Sequence, residues 1–304
     1  MRATFSRLLA QAAQDDERLL LLTGDHGYAL FDEFRQVCPD RFINCGVAEQ
    51  NMVGVAAGLA KAGFRPIVYG LAAFIPMRVL EQIKMDVCYE SLPVIFIGDG
   101  AGVVYSTLGA SHQCTEDVAA LRAMPNLDIY SPADRFELGY TFQHMRATAR
   151  PSYLRFGKAD CGDIHPNAPT APMGDLIQVR SGSADYGFIA TGAMVSKAVR
   201  LADELGGVPV WSAPCLAPCN TRQLLDHCRP LSRVFTLEEH AVQGGLGSLV
   251  AEVLSEAGVS RLTRLGINGR FSELCGSYDY LLSYHGLGLA ELRRSIADTV
   301  SSDR

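Results

Sequence analysis

The carboxyl group of Glu49 stands out because the residues around it are almost entirely apolar. Those on either side are Phe42, Ile43, Val47, Met52, Val53, Val55, Ala56, Leu59 and Ala60, and the ones that follow Glu49 recur at helical spacing. We expect a carboxyl group at the start of such a helix to be partly desolvated, which favours the protonated acid. The alternative from spacing alone is an ordinary Glu whose charge stabilises a helix N-terminus.

Two other segments place an aromatic ring and an imidazole next to predicted strands. Phe74 lies in residues 69–78, which follow a strand and open a helix, although an aromatic residue at a strand end usually belongs to the core. His112 lies near the end of the Gly-rich residues 98–113, and a lone His after such a loop is weak evidence for a site. Asp25 lies in a Gly turn after the first buried strand, where open α/β sheets bind ligands.

Alternating helical and strand-like segments surround these residues and predict an α/β protein. The pattern restarts at residues 186–191, after a proline-containing stretch without periodicity. We therefore predict two three-layer α/β/α domains with mostly parallel sheets, at residues 1–160 and 176–304, joined by a linker at residues 161–175.

The composition of the 304 residues argues against several other classes of protein. With 48% hydrophobic and 20% charged residues, the sequence is typical of a globular protein with ample core. Its net charge of −6 and the lack of a Lys/Arg cluster argue against nucleic acid or membrane as a partner. Nine scattered cysteines and no apolar leader indicate a cytoplasmic protein with reduced thiols. Cys215 and Cys219 lack the second ligand pair of a zinc site.

Residues 46–52, Gly-Val-Ala-Glu-Gln-Asn-Met, resemble a motif in the pyrimidine-binding domain of transketolases and 1-deoxyxylulose-5-phosphate synthases. In that family the Glu hydrogen-bonds N1′ of the aminopyrimidine ring of thiamine diphosphate and so promotes removal of the C2 proton of the cofactor. An apolar pocket that keeps a carboxylic acid protonated near neutral pH suits this role. The resemblance covers essentially the whole chain and implies that Glu49 activates the cofactor.

The same resemblance assigns roles to residues around that carboxyl group. Phe74 falls where a family aromatic stacks on the aminopyrimidine, and two flanking aromatics of typical transketolases are Leu71 and Met77 here. His112 matches the His of a Gly-x-Thr-His-Gln segment that contacts the donor substrate. In the family an acidic residue precedes the Gly of this segment and takes part in recognition of a donor hydroxyl. Leu108 stands at that position here, so this chain departs from the family pattern.

Three charged residues resemble the family's pattern less closely. Asp25 falls where the family has an Asp near the thiazolium ring, and Arg2 where it has a phosphate-binding Arg. Arg155 lies in a strand that resembles the one whose Arg grips the substrate phosphate. Ala29 stands where a phosphate-binding Ser is expected. Each charged residue is equally consistent with a surface position or an ion pair.

The sequence lacks a convincing site for the diphosphate and magnesium of the cofactor. Thiamine enzymes hold both with a Gly-Asp-Gly segment followed later by Asn-Asn. Asp99 lies in a Gly-Asp-Gly segment, but Asn126 is followed by Leu127, and this stretch offers too few oxygen ligands for Mg²⁺. We predict no metal ligand in this chain and infer that a separate partner subunit holds the diphosphate and Mg²⁺. The implied assembly is a split transketolase, a heterotetramer of two copies of each subunit.

The resemblance implies transfer of a two-carbon ketol unit from a ketose or ketose phosphate to an aldose acceptor. His112 would hold an oxygen of the reacting substrate. Two alternatives stay open: the β subunit of a 2-oxoacid dehydrogenase or decarboxylase type of thiamine enzyme, and a non-catalytic scaffolding subunit. The segments that contain Glu49 and His112 favour transketolase but do not identify the donor or the acceptor.

Overall fold

The computed structural model describes residues 1–157 and 161–302, and their strands form two sheets. The first sheet has seven strands: β1 (Leu19–Thr23), β2 (Phe42–Asn44), β3 (Arg65–Leu71), β4 (Ile95–Asp99), β5 (Asp128–Tyr130), β6 (Ser152–Phe156) and β10 (Cys215–Ala217). Their spatial order is β10-β5-β6-β4-β3-β1-β2, and every neighbouring pair is parallel except β10 with β5.

Helices cover both faces of this sheet. They are α1 (Arg2–Asp15), α2 (Asp32–Val37), α3 (Glu49–Lys61), α4 (Leu80–Gln82), α5 (Asp117–Arg122) and α6 (Arg135–Thr148), and α4 continues as the π-helical turn Ile83–Cys88. Alternate residues of β1 belong to different cores, because successive side chains of a strand point to opposite faces. Leu20 and Leu22 pack in the core that contains α3, whereas Leu19 and Leu21 pack in the core that contains α1.

The second sheet has five strands in the order β12-β11-β8-β9-β7, and only β7 with β9 is antiparallel. Its strands are β7 (Ile177–Arg180), β8 (Tyr186–Ala190), β9 (Val210–Ser212), β11 (Arg233–Ala241) and β12 (Arg261–Ile267). The helices of this half are α7 (Met194–Leu205), α8 (Thr221–Cys228), α9 (Leu246–Ala257), α10 (Tyr278–Tyr284) and α11 (Leu289–Ser302). The predicted pair of mostly parallel α/β sheets is thereby confirmed. Within the described residues no helix is long and apolar enough to cross a membrane.

One short strand departs from a simple division of the chain into two halves. β10 comes from the second half of the sequence but pairs antiparallel with β5, so Cys215 lies opposite Tyr130 and Ala217 opposite Ile129. The predicted domain end at residue 160 lies outside the described residues, and the predicted domain bounds stay predictions. Cys114 pairs with Gly102 in an isolated bridge, and helix α5 begins three residues later, at Asp117.

A set of buried ionisable residues lies where the two halves meet. This junction cluster consists of Asp117, Arg155, Glu238, Glu239 and His240, each at most 6% exposed. Asp117 accepts hydrogen bonds from Arg155 Nε at 2.8 Å and from the Tyr153 hydroxyl at 2.7 Å.

The two Glu residues of the junction cluster accept hydrogen bonds from other segments of the chain. Glu239 accepts the backbone N–H of Val103 at 2.7 Å and the Tyr278 hydroxyl at 2.5 Å. Glu238 accepts the backbone N–H groups of Leu246 and Gly247 at the start of α9, at 2.7 and 2.8 Å. The hydrogen bonds to Glu239 from Val103 and, at its carbonyl, from Arg155 hold one half of the molecule against the other.

Candidate active site

The loops after β1 and β2 hold Asp25 and Glu49 at the carboxyl edge of the first sheet. Asn44, the last residue of β2, joins the two loops through its side chain. Its Oδ1 accepts the backbone N–H of Asp25 at 3.1 Å and that of Gly46 at 2.9 Å. Gly46 has a φ of 67°, a conformation that favours glycine. The chain then enters α3 with Glu49 as the first helical residue.

Glu49 is 7% exposed, and its carboxylate is paired with a residue that sequence analysis missed. Arg78 Nη1 donates a hydrogen bond to Glu49 Oε1 at 3.0 Å. The central carbon of the same guanidinium lies 3.7 Å from the centre of the Phe74 ring, so the planar cation stacks on that ring. The turn after β3 brings the two residues together, because the Arg78 N–H donates to the Phe74 carbonyl at 3.1 Å.

Two imidazole rings flank Phe74. The ring centre of His112 lies 5.5 Å from that of Phe74, and the ring centre of His26 lies 5.8 Å from it. Burial lowers the pKa of His26, and its Nε2 is enclosed without a hydrogen-bond partner among the described residues. The neutral ring therefore presents an unsatisfied nitrogen beside Phe74. Sequence analysis gave His26 no role, because a His in a Gly turn carries no periodic signal.

The loop that carries His112 is held by the second half of the chain. The neighbouring side chain, Gln113, accepts a hydrogen bond from Ser272 Oγ at 2.6 Å through its Oε1. Ser272 Oγ also lies 2.8 Å from His285 Nε2. Leu108, in the same loop, is 51% exposed. The position of His112 therefore depends on residues more than 150 positions away in the sequence, as the Gln113–Ser272 separation of 159 shows.

Leu71 and Met77 lie on the two sides of Phe74 in the sequence and differ in their surroundings. Leu71 is the last residue of β3, and its carbonyl oxygen accepts the Phe74 N–H at 2.8 Å, which forms the turn that presents the ring. Met77 packs against a small apolar cluster of Ala72, Ala101 and Cys114. Their predicted contacts with a cofactor stay predictions.

Asp25 lies exposed at the edge of this site in a left-handed conformation, with a φ of 64°. Its Oδ1 accepts hydrogen bonds from Asn44 Nδ2 at 3.2 Å and from the Tyr28 hydroxyl at 3.3 Å. Asn44 thus binds both the backbone and the side chain of Asp25, which fixes the carboxylate relative to the loop that leads to Glu49.

The two arginines predicted to bind phosphate both pair with a buried carboxylate. Arg2 Nη2 lies 3.1 Å from Asp99 Oδ2, which also accepts the Tyr69 hydroxyl at 2.7 Å. Arg155 is 4% exposed, pairs with Asp117, and donates a second hydrogen bond to the Glu239 carbonyl at 3.3 Å. An ion pair was the alternative role for each arginine, and contact with a substrate phosphate stays a prediction.

Asp99 and Asn126, whose spacing resembles that of a metal site, face different surroundings. Asp99 is fully buried against Tyr69 and Arg2, whereas Asn126 Nδ2 donates to the Cys88 carbonyl at 3.1 Å. Across residues 1–157 and 161–302, no group of three or more His, Cys, Asp and Glu side chains has an arrangement that could hold a metal ion.

The geometry around Glu49 fits a flat nitrogen heterocycle. Such a ring requires an aromatic face to stack on and a carboxyl group that shares a proton with a ring nitrogen, and Phe74 and Glu49 supply these two features on either side of the Arg78 guanidinium. The unsatisfied Nε2 of His26 adds a polar group nearby, in an imidazole whose ring centre lies 5.8 Å from that of Phe74. The aminopyrimidine ring of thiamine diphosphate has this flat, hydrogen-bonding character, so the residues present fit it.

The comparison with protein families agrees with this geometry. Residues 1–162 match the family model of the transketolase pyrimidine-binding domain, and residues 175–278 match that of the transketolase C-terminal domain. The fold and the matched domains define a subunit of a thiamine-dependent enzyme family. The chain belongs to the transketolase family.

Individual relatives extend this similarity over nearly the whole chain. A 6-deoxy-6-sulfo-D-fructose transketolase subunit SqwH from Clostridium sp. strain MSTE9 is 34% identical, over 97% of this chain and 92% of that protein. A subunit of an apulose-4-phosphate transketolase from Actinobacillus succinogenes is 33% identical, over 82% of this chain and 81% of that protein.

Among solved structures, one described as "Split gene transketolase, inactive beta4 tetramer" matches with a TM-score of 0.88 and 30% identity. The match covers 100% of this chain and 98% of that one.

Proposed function

We propose that this chain is one subunit of a two-polypeptide transketolase that moves a two-carbon ketol unit from a ketose or ketose phosphate to an aldose. The observation that carries the proposal is that the buried carboxyl group of Glu49 and the ring of Phe74 both contact one guanidinium, that of Arg78, at one edge of the sheet. The carbon nucleophile for this transfer is supplied by bound thiamine diphosphate.

The residues of this chain would bind and orient the reacting groups. Glu49 would hydrogen-bond the aminopyrimidine ring and hold the proton that this ring exchanges. Phe74 would stack on the same ring, and Leu71 and Met77 would contact it on either side. His112 would bind an oxygen of the donor, because the centre of its imidazole lies 5.5 Å from that of the Phe74 ring. Asp25 would lie near the thiazolium end of the cofactor.

The diphosphate and Mg²⁺ would be held by a separate partner subunit, in a heterotetramer of two copies of each chain. The relatives that match over most of their length support this arrangement, because two of them are named as transketolase subunits. A third is described as an inactive tetramer of one chain type. In this assembly Arg2 and Arg155 would contact the phosphate of the substrate. We also propose a cytoplasmic location.

Calorimetric binding of thiamine diphosphate with Mg²⁺ tests the proposal, first with the chain alone and then with the partner subunit added. We expect no binding alone and tight binding in the complex. Tight Mg²⁺-dependent binding by the chain alone would contradict the two-subunit arrangement. The complex should then consume a ketose donor without releasing carbon dioxide, whereas carbon dioxide release from a 2-oxoacid would identify the other class of thiamine enzyme.

A further inference from the structure

Arg78 contacts both of the surfaces assigned above to the aminopyrimidine ring. Its guanidinium donates to Glu49 Oε1 at 3.0 Å and lies 3.7 Å above the centre of the Phe74 ring. A guanidinium is planar, carries N–H donors in its plane and stacks on aromatic faces. These are the properties by which a flat nitrogen heterocycle would bind at the same place.

We propose that Arg78 occupies the place of the aminopyrimidine ring while the cofactor is absent, and that cofactor binding displaces its guanidinium. This inference rests on the proposed function. Carbon atoms in van der Waals contact lie about 3.5–4.0 Å apart, so no ring fits between Phe74 and a guanidinium at 3.7 Å. The hydrogen bond from Arg78 likewise takes up Glu49 Oε1.

The structure allows the Arg78 side chain to move while its backbone stays in place. The side chain is 47% exposed, so its ion pair and its stacking are both weakened by water. The backbone is held by Gln50, whose Nε2 donates to the Arg78 carbonyl at 3.2 Å. A long side chain on a fixed backbone can turn outward without disturbing α3 or the turn that presents Phe74.

The affinity of the assembled complex for thiamine diphosphate tests this displacement. We expect Arg78→Met to lower the Kd about three- to tenfold, because the competing side chain is gone. Arg135→Met is the matched control, since Arg135 also stacks on a ring, that of Phe136 at 4.5 Å, pairs with Asp163 at 2.9 Å and is 50% exposed. The control should leave the Kd unchanged.

The Arg78→Lys variant provides a second measurement if the Met variant folds poorly. Lysine keeps the charge that pairs with Glu49 but lacks the flat face, so we expect a smaller decrease in Kd than for Met. A Kd that is unchanged or raised in both Arg78 variants would overturn the displacement. Failure of the wild-type complex and all variants to bind the cofactor would instead contradict the proposed function.

The guanidinium itself can be followed by NMR, independently of activity. In the chain alone, the ring current of Phe74 should shift the side-chain ¹⁵N and ¹³C signals of Arg78, and Phe74→Leu should abolish that shift. Addition of thiamine diphosphate and Mg²⁺ to the complex should move the same signals to the values of an exposed arginine. Signals that keep their ring-current shift after cofactor binding would show that Arg78 stays in place, against the proposal.

Discussion

The Glu49 site and the junction cluster both bury carboxylates, but they pair them with different kinds of partner. Glu49 pairs with the side chain of Arg78, which is 47% exposed. In the junction cluster, Glu238 and Glu239 bind backbone N–H groups, and Asp117 pairs with Arg155, a side chain that is only 4% exposed. A half-exposed side chain can leave while the protein stays folded, whereas a backbone amide or a buried arginine cannot. Exchangeable pairing therefore suits a ligand site, and fixed pairing suits a structural junction.

Substitution at the exchangeable site should affect catalysis far more than folding. We expect Glu49→Gln to lower turnover by the assembled enzyme about 10²–10⁴-fold, because a Gln cannot exchange a proton with the cofactor. The unfolding free energy of the same variant should change by less than about 1 kcal/mol, since the lost ion pair is partly exposed. Steady-state kinetics and urea unfolding measure the two effects. Full activity of this variant would favour the scaffolding alternative.

Substitution at the fixed junction should have the opposite profile. Arg155→Met leaves Asp117 buried without its charged partner, so we expect the unfolding free energy to fall by about 3–5 kcal/mol. Thermal unfolding of the purified chain measures this loss. If the variant is as stable as the wild type and only raises the KM for a phosphorylated donor, Arg155 is a phosphate ligand, as the family resemblance suggested.

The smallest effect concerns the pH dependence of stability. Burial raises the pKa of Glu238 to about 7, although two backbone N–H groups favour its charged form. The folded chain then holds a proton that the unfolded chain releases near 4.5, so this residue lowers stability as pH rises from about 4.5 to 7. Burial lowers the pKa of His240 to about 4. The unfolded chain then binds a proton that the folded chain does not, so this residue makes stability increase as pH rises from about 4 to 6.5.

The two residues change the unfolding free energy in opposite directions as pH rises. Glu238→Gln removes the contribution of Glu238 and should leave that of His240. We expect the unfolding free energy of this variant, relative to wild type, to increase by about 1–3 kcal/mol between pH 4.5 and 6.5. Urea unfolding at several pH values measures the difference. Parallel curves for variant and wild type would show that Glu238 does not titrate in this range.

Local pattern was sufficient to predict much of the fold. The alternation of helical and strand-like segments predicted two mostly parallel sheets, and β6 and α7 each combine a regular apolar pattern with clear end signals. Glu49, Phe74 and His112 were identified by motif, and the structure brings their neighbourhoods together.

Features that depend on distant contacts were not predictable in this way. β10 has three residues and lies between Pro214 and Pro218, too short to show a strand period, and it forms only because the edge of β5 is available. The support of Gln113 by Ser272 likewise joins segments with no local pattern in common. Arg78 and His26 belong to the site only because each contacts the Phe74 ring, and the sequence gives no sign of these contacts.

The crossing of β10 limits how this chain can be divided or recombined. Its residues seal the outer edge of the first sheet, where Ser131 N–H also donates to the Pro214 carbonyl at 2.8 Å. A fragment that ends before residue 215 would expose β5 as an unpaired edge, a template for aggregation. A chimera that joins the first half of this chain to the second half of a relative at the linker would therefore pair β5 of one protein with β10 of another. The two halves are also joined by packing, because one apolar core contains Leu20 and Val68 of the first half together with Ile189 and Leu246 of the second.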